Sequence, residues 1–224
     1  GISATRYLGS NGTETAGSVG YSLSSGSYDS VSFSFAGQDA SPIGIALNLD
    51  GTKMYHLGAA SNTIYQYTLS TGFDVSTASY DSVSFSVSGQ DSGPRSITFN
   101  TDGTKMYMVG ISNDSVFQYS LSTAFDLSTT SYDSVSFSVA SQDSVPLGIT
   151  FNTDGTKMYM VGSGSDSVYQ YTLSTGFDLS TASYNSVSLS VSSQDTSPVD
   201  IAFNSSGTKM YMVGISNDSV YQYT

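Results

Sequence analysis

The chain has 224 residues, about a third of them Ser or Thr, with 38% hydrophobic and only 11% charged residues, so a buried core is expected and a charge-rich disordered chain is excluded. Six Lys and Arg against eighteen acids give a formal charge of −12 and no basic patch for nucleic acid or anionic lipid. Zero Cys removes disulfides, thiolate metal sites and Cys nucleophiles, and no apolar run approaches the roughly 20 residues of a membrane span.

Residues 1–27 read as an N-terminal arm. Thr5-Arg6-Tyr7-Leu8-Gly9 echoes the later T-K-M-Y-M-V-G, and Tyr21-Ser-Leu-Ser-Ser25 echoes Tyr119-Ser-Leu-Ser-Thr123. These echoes fit a degenerate hairpin or a decayed fifth blade, with an ordered surface arm as the favoured reading. Contacts with other structural subunits are expected of that arm. Gly1, where an initiator Met would stand, reads as a processed or excised start.

From Tyr28 onward the chain repeats. Tyr28, Tyr80, Tyr132 and Tyr184 open near-identical segments, and Gly51, Gly103, Gly155 and Gly207 mark a period of 52 residues. Each unit opens with a strand D, seen at Val135, Phe137 and Val139 alternating with Ser134, Ser136 and Ser138. Strand A follows Pro146 as Leu147-Gly-Ile-Thr-Phe151, where Gly148 permits close backbone approach. Asn152-Thr-Asp-Gly155 predicts a tight turn, because Asp-Gly readily supplies positive φ. Strand B is Lys157–Val161 and strand C is Val168–Leu173, rich in residues that suit a pleated surface.

Units of 40 to 50 residues with four short strands are the mark of propeller blades. The predicted fold is therefore all-β, a four-bladed β-propeller over residues 28–224. The last copy stops at Thr224 after strands A, B and C, so the first strand D, Tyr28–Phe35, is expected to complete the last blade and close the ring.

With hairpins reading G-I-T-F-N-T-D-G-T-K-M-Y-M-V-G followed by S-D-S-V-Y-Q-Y, the chain resembles YVTN and NHL-like propeller repeats from Tyr28 to its end. The Ser-rich version with Q-Y-T-L-S-T-G-F-D-L-S-T-A-S between blades is similar to repeats of marine bacteriophage tail fibres and bacterial surface proteins. The resemblance implies a binding or scaffold role at an extracellular or virion surface. Enzymatic members of such families, lactonases among them, gather acidic, His or Asn residues at the channel mouth, often around a divalent metal. This chain has one Glu and one His, neither in a strand A.

Candidate chemistry lies in two places. Asp39, Asp91, Asp143 and Asp195 each follow a Gln and precede a Pro by three residues, so four carboxylates at one rim would suit a hard cation such as Ca²⁺. The competing reading makes each Asp an Asx-type loop cap; no other cofactor is implied. The second place is where the repeat breaks: Arg95 and Asp200 replace apolar or small residues at the start of strand A in blades two and four. Asn113 and Asn217, in the loops between strands B and C, join them as candidate binding residues for a protein or glycan. His56 stands where the other copies carry Met108, Met160 and Met212, and as the one His it reads as a packing residue.

The sequence thus reads first as a non-enzymatic structural or binding module at a virion or cell surface. A lactonase-like, metal-dependent hydrolase working at the channel mouth and a self-assembling surface or filament subunit are the alternatives.

Overall fold

The computed structural model describes residues 3–4 and 27–224. Blade one comprises β2 (Pro42–Leu47), β3 (Lys53–Gly58), β4 (Thr63–Leu69) and β5 (Ala78–Ser86). Blade two comprises β6 (Pro94–Phe99), β7 (Lys105–Gly110), β8 (Ser115–Leu121) and β9 (Thr130–Ser138). In blade three, β10 (Pro146–Phe151), β11 (Lys157–Gly162), β12 (Ser167–Leu173) and β13 (Ala182–Ser190) follow the same order. Blade four holds β14 (Pro198–Phe203), β15 (Met210–Gly214) and β16 (Ser219–Tyr223). These antiparallel sheets stand in a ring as a four-bladed β-propeller. A two-residue β1 (Ser3–Ala4) adds to β2 in parallel. The expected hairpin over residues 5–25 lies outside the described residues.

Local chemistry explains each unit. Gly51, Gly103, Gly155 and Gly207 take φ of +69° to +74°, as the Asp-Gly or Ser-Gly turn between the first two strands requires. After the third strand, Asp74, Asp126 and Asp178 each cap a short 3-10 turn by accepting the N–H two residues on. The fourth strand carries a bulge, with Ser82, Ser134 and Ser186 at φ of +57° to +59°. This strand is longer than the Ser/Val alternation alone predicts, because Thr130–Tyr132 pair with Tyr119–Leu121 ahead of the bulge.

Blades pack through Tyr, Met, Val and Ile side chains that are almost wholly buried, including Tyr55, Tyr107, Tyr119, Met106 and Met158. Full burial of each such side chain is worth about 1.5–3 kcal/mol. Adjacent inner strands pack together along the series β2, β6, β10, β14.

The expected closure by pairing does not occur. Residues 27–35 form no strand, and among the described residues the last sheet has three strands, with β16 at its edge. The segment instead lies on blade one. Phe33 meets Tyr67 edge-on at 5.4 Å, as Phe85 meets Tyr119 at 5.5 Å and Phe137 meets Tyr171 at 5.4 Å. It thus occupies the place of a preceding blade's last strand, held by aromatic packing.

Candidate functional site

The rim where the prolines enter the inner strands brings the candidate residues to one end of each blade. Asp39, Asp91, Asp143 and Asp195 are 1–5% exposed. Asp91 accepts N–H groups of Gly93 (2.7 Å), Ser112 (3.2 Å) and Asn113 (2.9 Å). Asp143 does the same with Val145, Gly164 and Ser165, and Asp195 with Ser197, Ser216 and Asn217. In blade one Asp39 accepts from Ser41 and Ser61. Burial pushes the carboxyls of Asp39 and Asp195 up, but the hydrogen bonds they accept outweigh it and hold both below the usual carboxylate range. Each carboxylate therefore fastens the loop entering its own blade to the loop between that blade's second and third strands.

The four do not converge, and no group of three or more acidic or His side chains among the described residues suits a metal. The donor set does not fit the Ca²⁺ ring that the sequence suggested. Asn113 and Asn217 belong to the same fastening, since their amides donate to the carbonyls of Gln90 (2.7 Å) and Gln194 (2.8 Å). Gln90 in turn accepts from the Tyr119 hydroxyl, and Gln194 from that of Tyr223.

His56 is fully buried, stacked between Phe35 at 4.3 Å and Tyr65 at 5.2 Å, with Nδ1 3.3 Å from the Tyr67 hydroxyl. Burial lowers its pKa, which keeps the ring neutral. Phe35 and His56 stand where the later repeats have Val87 with Met108, Val139 with Met160 and Val191 with Met212. The two departures pack on each other, so His56 is a core residue.

Arg95 and Asp200 lie on inner strands β6 and β14, both of which pack against β10. Arg95 is half-buried, with its Nε enclosed and without a hydrogen-bond partner. Asp200 is 5% exposed and sits against Gly148. A Cβ on Gly148 would lie 2.9 Å from Asp200 Cα and would run into its carboxylate, so glycine is what lets the acid fit there. The equivalent positions in the other blades are Gly44 and Ser96. The inner strands therefore carry one guanidinium and one carboxylate that the repeat does not explain.

One ionic feature escaped the sequence reading. The bulge turns Asp81 toward Lys53 Nζ (2.8 Å) and Gln66 Nε2 (2.8 Å), and Asp133 toward Lys105 Nζ (2.9 Å) and Gln118 Nε2 (2.8 Å). Asp81 borders an open groove of about 680 Å³ between blades one and two, with Lys53, Thr68 and Asp126 also on its walls. The signal for these pairs was the change from Asp81 and Asp133 to Asn185 in the last strand of blade three.

The fold defines a class, the β-propeller. Residues 49–224 match the family model described as Lactonase, 7-bladed beta-propeller, and the chain belongs to that family. Among solved structures it is similar to an assigned 6-phosphogluconolactonase of Bacteroides uniformis (TM-score 0.60, 15% identity), over 83% of this chain and 53% of that one. A like assignment from Bacteroides fragilis gives a TM-score of 0.58 at 13% identity, over 81% of this chain and 49% of that one. The periplasmic gluconolactonase of Pseudomonas aeruginosa gives 0.52 at 15% identity, over 82% and 49%. The chain thus spans about half the length of these structures. No curated protein matches it.

Family membership corrects the first functional expectation. The non-enzymatic virion or surface platform, with its tail-fibre and carbohydrate-binding associations, is overturned in favour of an enzyme family. One Glu and one His, neither in a strand A, had argued against enzymatic inheritance. No helix among the described residues is long and apolar enough to cross a membrane.

Proposed function

We propose that the chain is a lactone-hydrolysing propeller that acts on a sugar lactone at the mouth of its channel. The observation that carries this reading is the presence of Arg95 and Asp200 as departures from the repeat on inner strands, in a chain of the lactonase family. In this scheme the Asp200 carboxylate takes a proton from water as the water oxygen attacks the lactone carbonyl carbon. The Arg95 guanidinium donates to the oxyanion that forms. Collapse of the adduct breaks the bond to the ring oxygen, which takes up a proton, and the open hydroxy acid leaves. We further propose a location outside the cytoplasm, the compartment of the P. aeruginosa gluconolactonase. Cell fractionation tests the location.

Acid release from glucono-δ-lactone and its 6-phosphate, followed in a pH-stat with and without EDTA, tests the activity. Hydrolysis above the spontaneous rate is expected with or without EDTA. Asp200→Asn should lower kcat about 100-fold or more, the range for a lost general base. A rate equal to spontaneous hydrolysis on both lactones, or an Asp200→Asn variant with full activity, would overturn the reading.

A further inference from the structure

In blades one to three, the segment after the third strand fills a fixed set of places. The rings of Phe73, Phe125 and Phe177 lie directly over Gly51, Gly103 and Gly155. The Phe125 and Phe177 carbonyls accept the hydroxyls of Tyr55 and Tyr107 in the preceding blade. Leu127 and Leu179, each 1% exposed, donate their N–H groups to Gln66 (2.7 Å) and Gln118 (2.8 Å). The segment then runs on as the fourth strand, where Asp81 or Asp133 meets the Lys and Gln of the sheet.

Among the described residues, blade four presents the same places without that segment. Nothing approaches the Cβ direction of Gly207 within 4 Å, and a cavity of about 200 Å³ opens beside it, walled by Tyr159 and Phe203. Val220 is 56% exposed, whereas its counterparts Val116 and Val168 are 0% and 5% exposed. Val187 and Leu189, on the neighbouring strand β13, are also open. Among the described residues, no strand pairs with the outer backbone edge of β16. Lys209 and Gln222 occupy the positions from which Lys105 and Gln118 hold Asp133.

We propose that this edge is an acceptor site for one connector-and-strand segment of the repeat type, Phe-Asp-Leu-Ser-Thr-x-Ser-Tyr-Asp-Ser-Val-Ser, presented by a further propeller repeat. Strand addition supplies backbone hydrogen bonds along β16, and three pockets set the specificity. The Phe ring enters the cavity over Gly207. The Leu covers Val187. The Asp takes up Lys209 and Gln222, which complements a cation and an amide donor with a carboxylate. The apolar groups left open on β13 and β16 are the ones this segment covers in the other blades. The inference stands apart from the lactonase reading, because its test does not depend on activity.

The test titrates the full chain into a fluorescein-labelled synthetic peptide of residues 122–138 and follows anisotropy, with thermal unfolding of the chain as a second readout. Saturable 1:1 binding and a peptide-dependent rise in Tm are expected. Peptides carrying Phe125→Ala or Asp133→Lys should bind about tenfold more weakly or worse, which corresponds to 1.4 kcal/mol per tenfold. In the chain, Val220→Asp should abolish binding; Val220 is exposed, so the fold tolerates the change, and circular dichroism checks it. The peptide variants keep the proposal falsifiable even if that chain variant fails. Equal binding of a scrambled peptide, absence of saturation, or self-association of the chain that Val220→Asp reverses would each overturn it, the last by making a second copy the occupant.

Discussion

Gln66 accepts the backbone N–H of Leu127 at 2.7 Å across the junction of blades one and two, although 61 residues separate them. The other end of the same amide donates to Asp81, which Lys53 also holds. One buried side chain thus ties an ion pair in its own sheet to the backbone of the next. Gln118 repeats the arrangement with Leu179 and Asp133. Gln118→Met keeps the volume but leaves the Leu179 N–H without an acceptor and takes one donor from Asp133, which Lys105 still holds. A loss of about 2–3 kcal/mol is expected, because an orphaned buried donor carries its full desolvation cost. Gln170→Met, at the half-buried position of blade three, should cost less than about 1 kcal/mol. Urea unfolding of the two variants makes the comparison.

The ion pairs at Asp81 and Asp133 carry a pH dependence of defined sign. Burial raises both carboxyls, but hydrogen bonds outweigh it, from Lys53 and Gln66 at Asp81 and from Ser120, Lys105 and Gln118 at Asp133, and both pKa values fall below the model-peptide value of 3.8. A depressed folded-state pKa gives stability that is present above the unfolded value and is lost as pH falls through the folded one. The Asp81→Asn/Asp133→Asn double variant should therefore lose less stability than the parent between pH 5 and pH 2. At pH 7 each substitution should cost about 1 kcal/mol, since Lys53 and Lys105 are about 30% exposed and partly screened. Denaturant unfolding at pH 7 and pH 3 separates the two effects.

Most of the ring was legible because the same local chemistry recurs four times. The Asp-Gly turns, the Tyr-rich strands and the 52-residue spacing fix the blades without reference to one another. Closure was not legible in the same way. Residues 28–34 read Tyr-Asp-Ser-Val-Ser-Phe-Ser, identical to 80–86, yet the first takes no strand conformation and the second lies in β5. Whether such a segment meets β16 depends on the curvature summed over all blades, which no local pattern encodes. Asp81 was overlooked for a different reason. It lies inside a Ser/Val alternation, and the positive φ of Ser82 redirects it toward Lys53. At the rim, the backbone N–H groups that each Asp accepts are those of a loop cap. Membership of the lactonase family was not legible, because a chain copied so closely from one blade offers few departures from which a site could be read.

His56 predicts a second titration at higher pH. Its ring is buried and neutral, so its pKa is lowered relative to the unfolded chain. Below about pH 6.5 the unfolded state binds a proton that the folded state refuses, and stability falls by up to about 1.4 kcal/mol per pH unit until the folded ring titrates. His56→Met, which restores the side chain of the other blades, should remove the dependence between pH 7 and pH 5. Because Phe35 stacks on the ring, a cycle with Phe35→Val should show coupling of about 0.5–3 kcal/mol. Additive single and double variants would contradict the paired substitution.

Asp91 tests the fastening of the rim directly. Asp91→Asn retains an acceptor oxygen but loses the charge and one of two acceptor atoms, which between them take the Gly93, Ser112 and Asn113 N–H groups. Hydrogen bonds to a charged group contribute about 1.5–3 kcal/mol each, so a loss of about 2–4 kcal/mol is expected. The loss should be the same in EDTA and in millimolar Ca²⁺, and faster amide exchange should be confined to residues 91–94 and 111–114. A stability that depends on Ca²⁺ in the parent and not in the variant would restore the metal reading.

The turn glycines separate backbone strain from packing within one molecule. Gly103 and Gly207 have φ of +74° and +69°, so alanine at either meets the same left-handed penalty of about 1–2 kcal/mol. Their surroundings differ. A Cβ at Gly103 would run into the Phe125 ring, whereas nothing lies within 4 Å of one at Gly207. Phe125 cannot move away freely, because its own φ is +60° and its carbonyl holds the Tyr55 hydroxyl. Gly207→Ala should therefore cost only the strain, and Gly103→Ala the strain plus about 1–3 kcal/mol of overpacking. Thermal unfolding of the two variants under identical conditions measures the difference, and equal losses would mean that the Phe125 ring does not rest on Gly103.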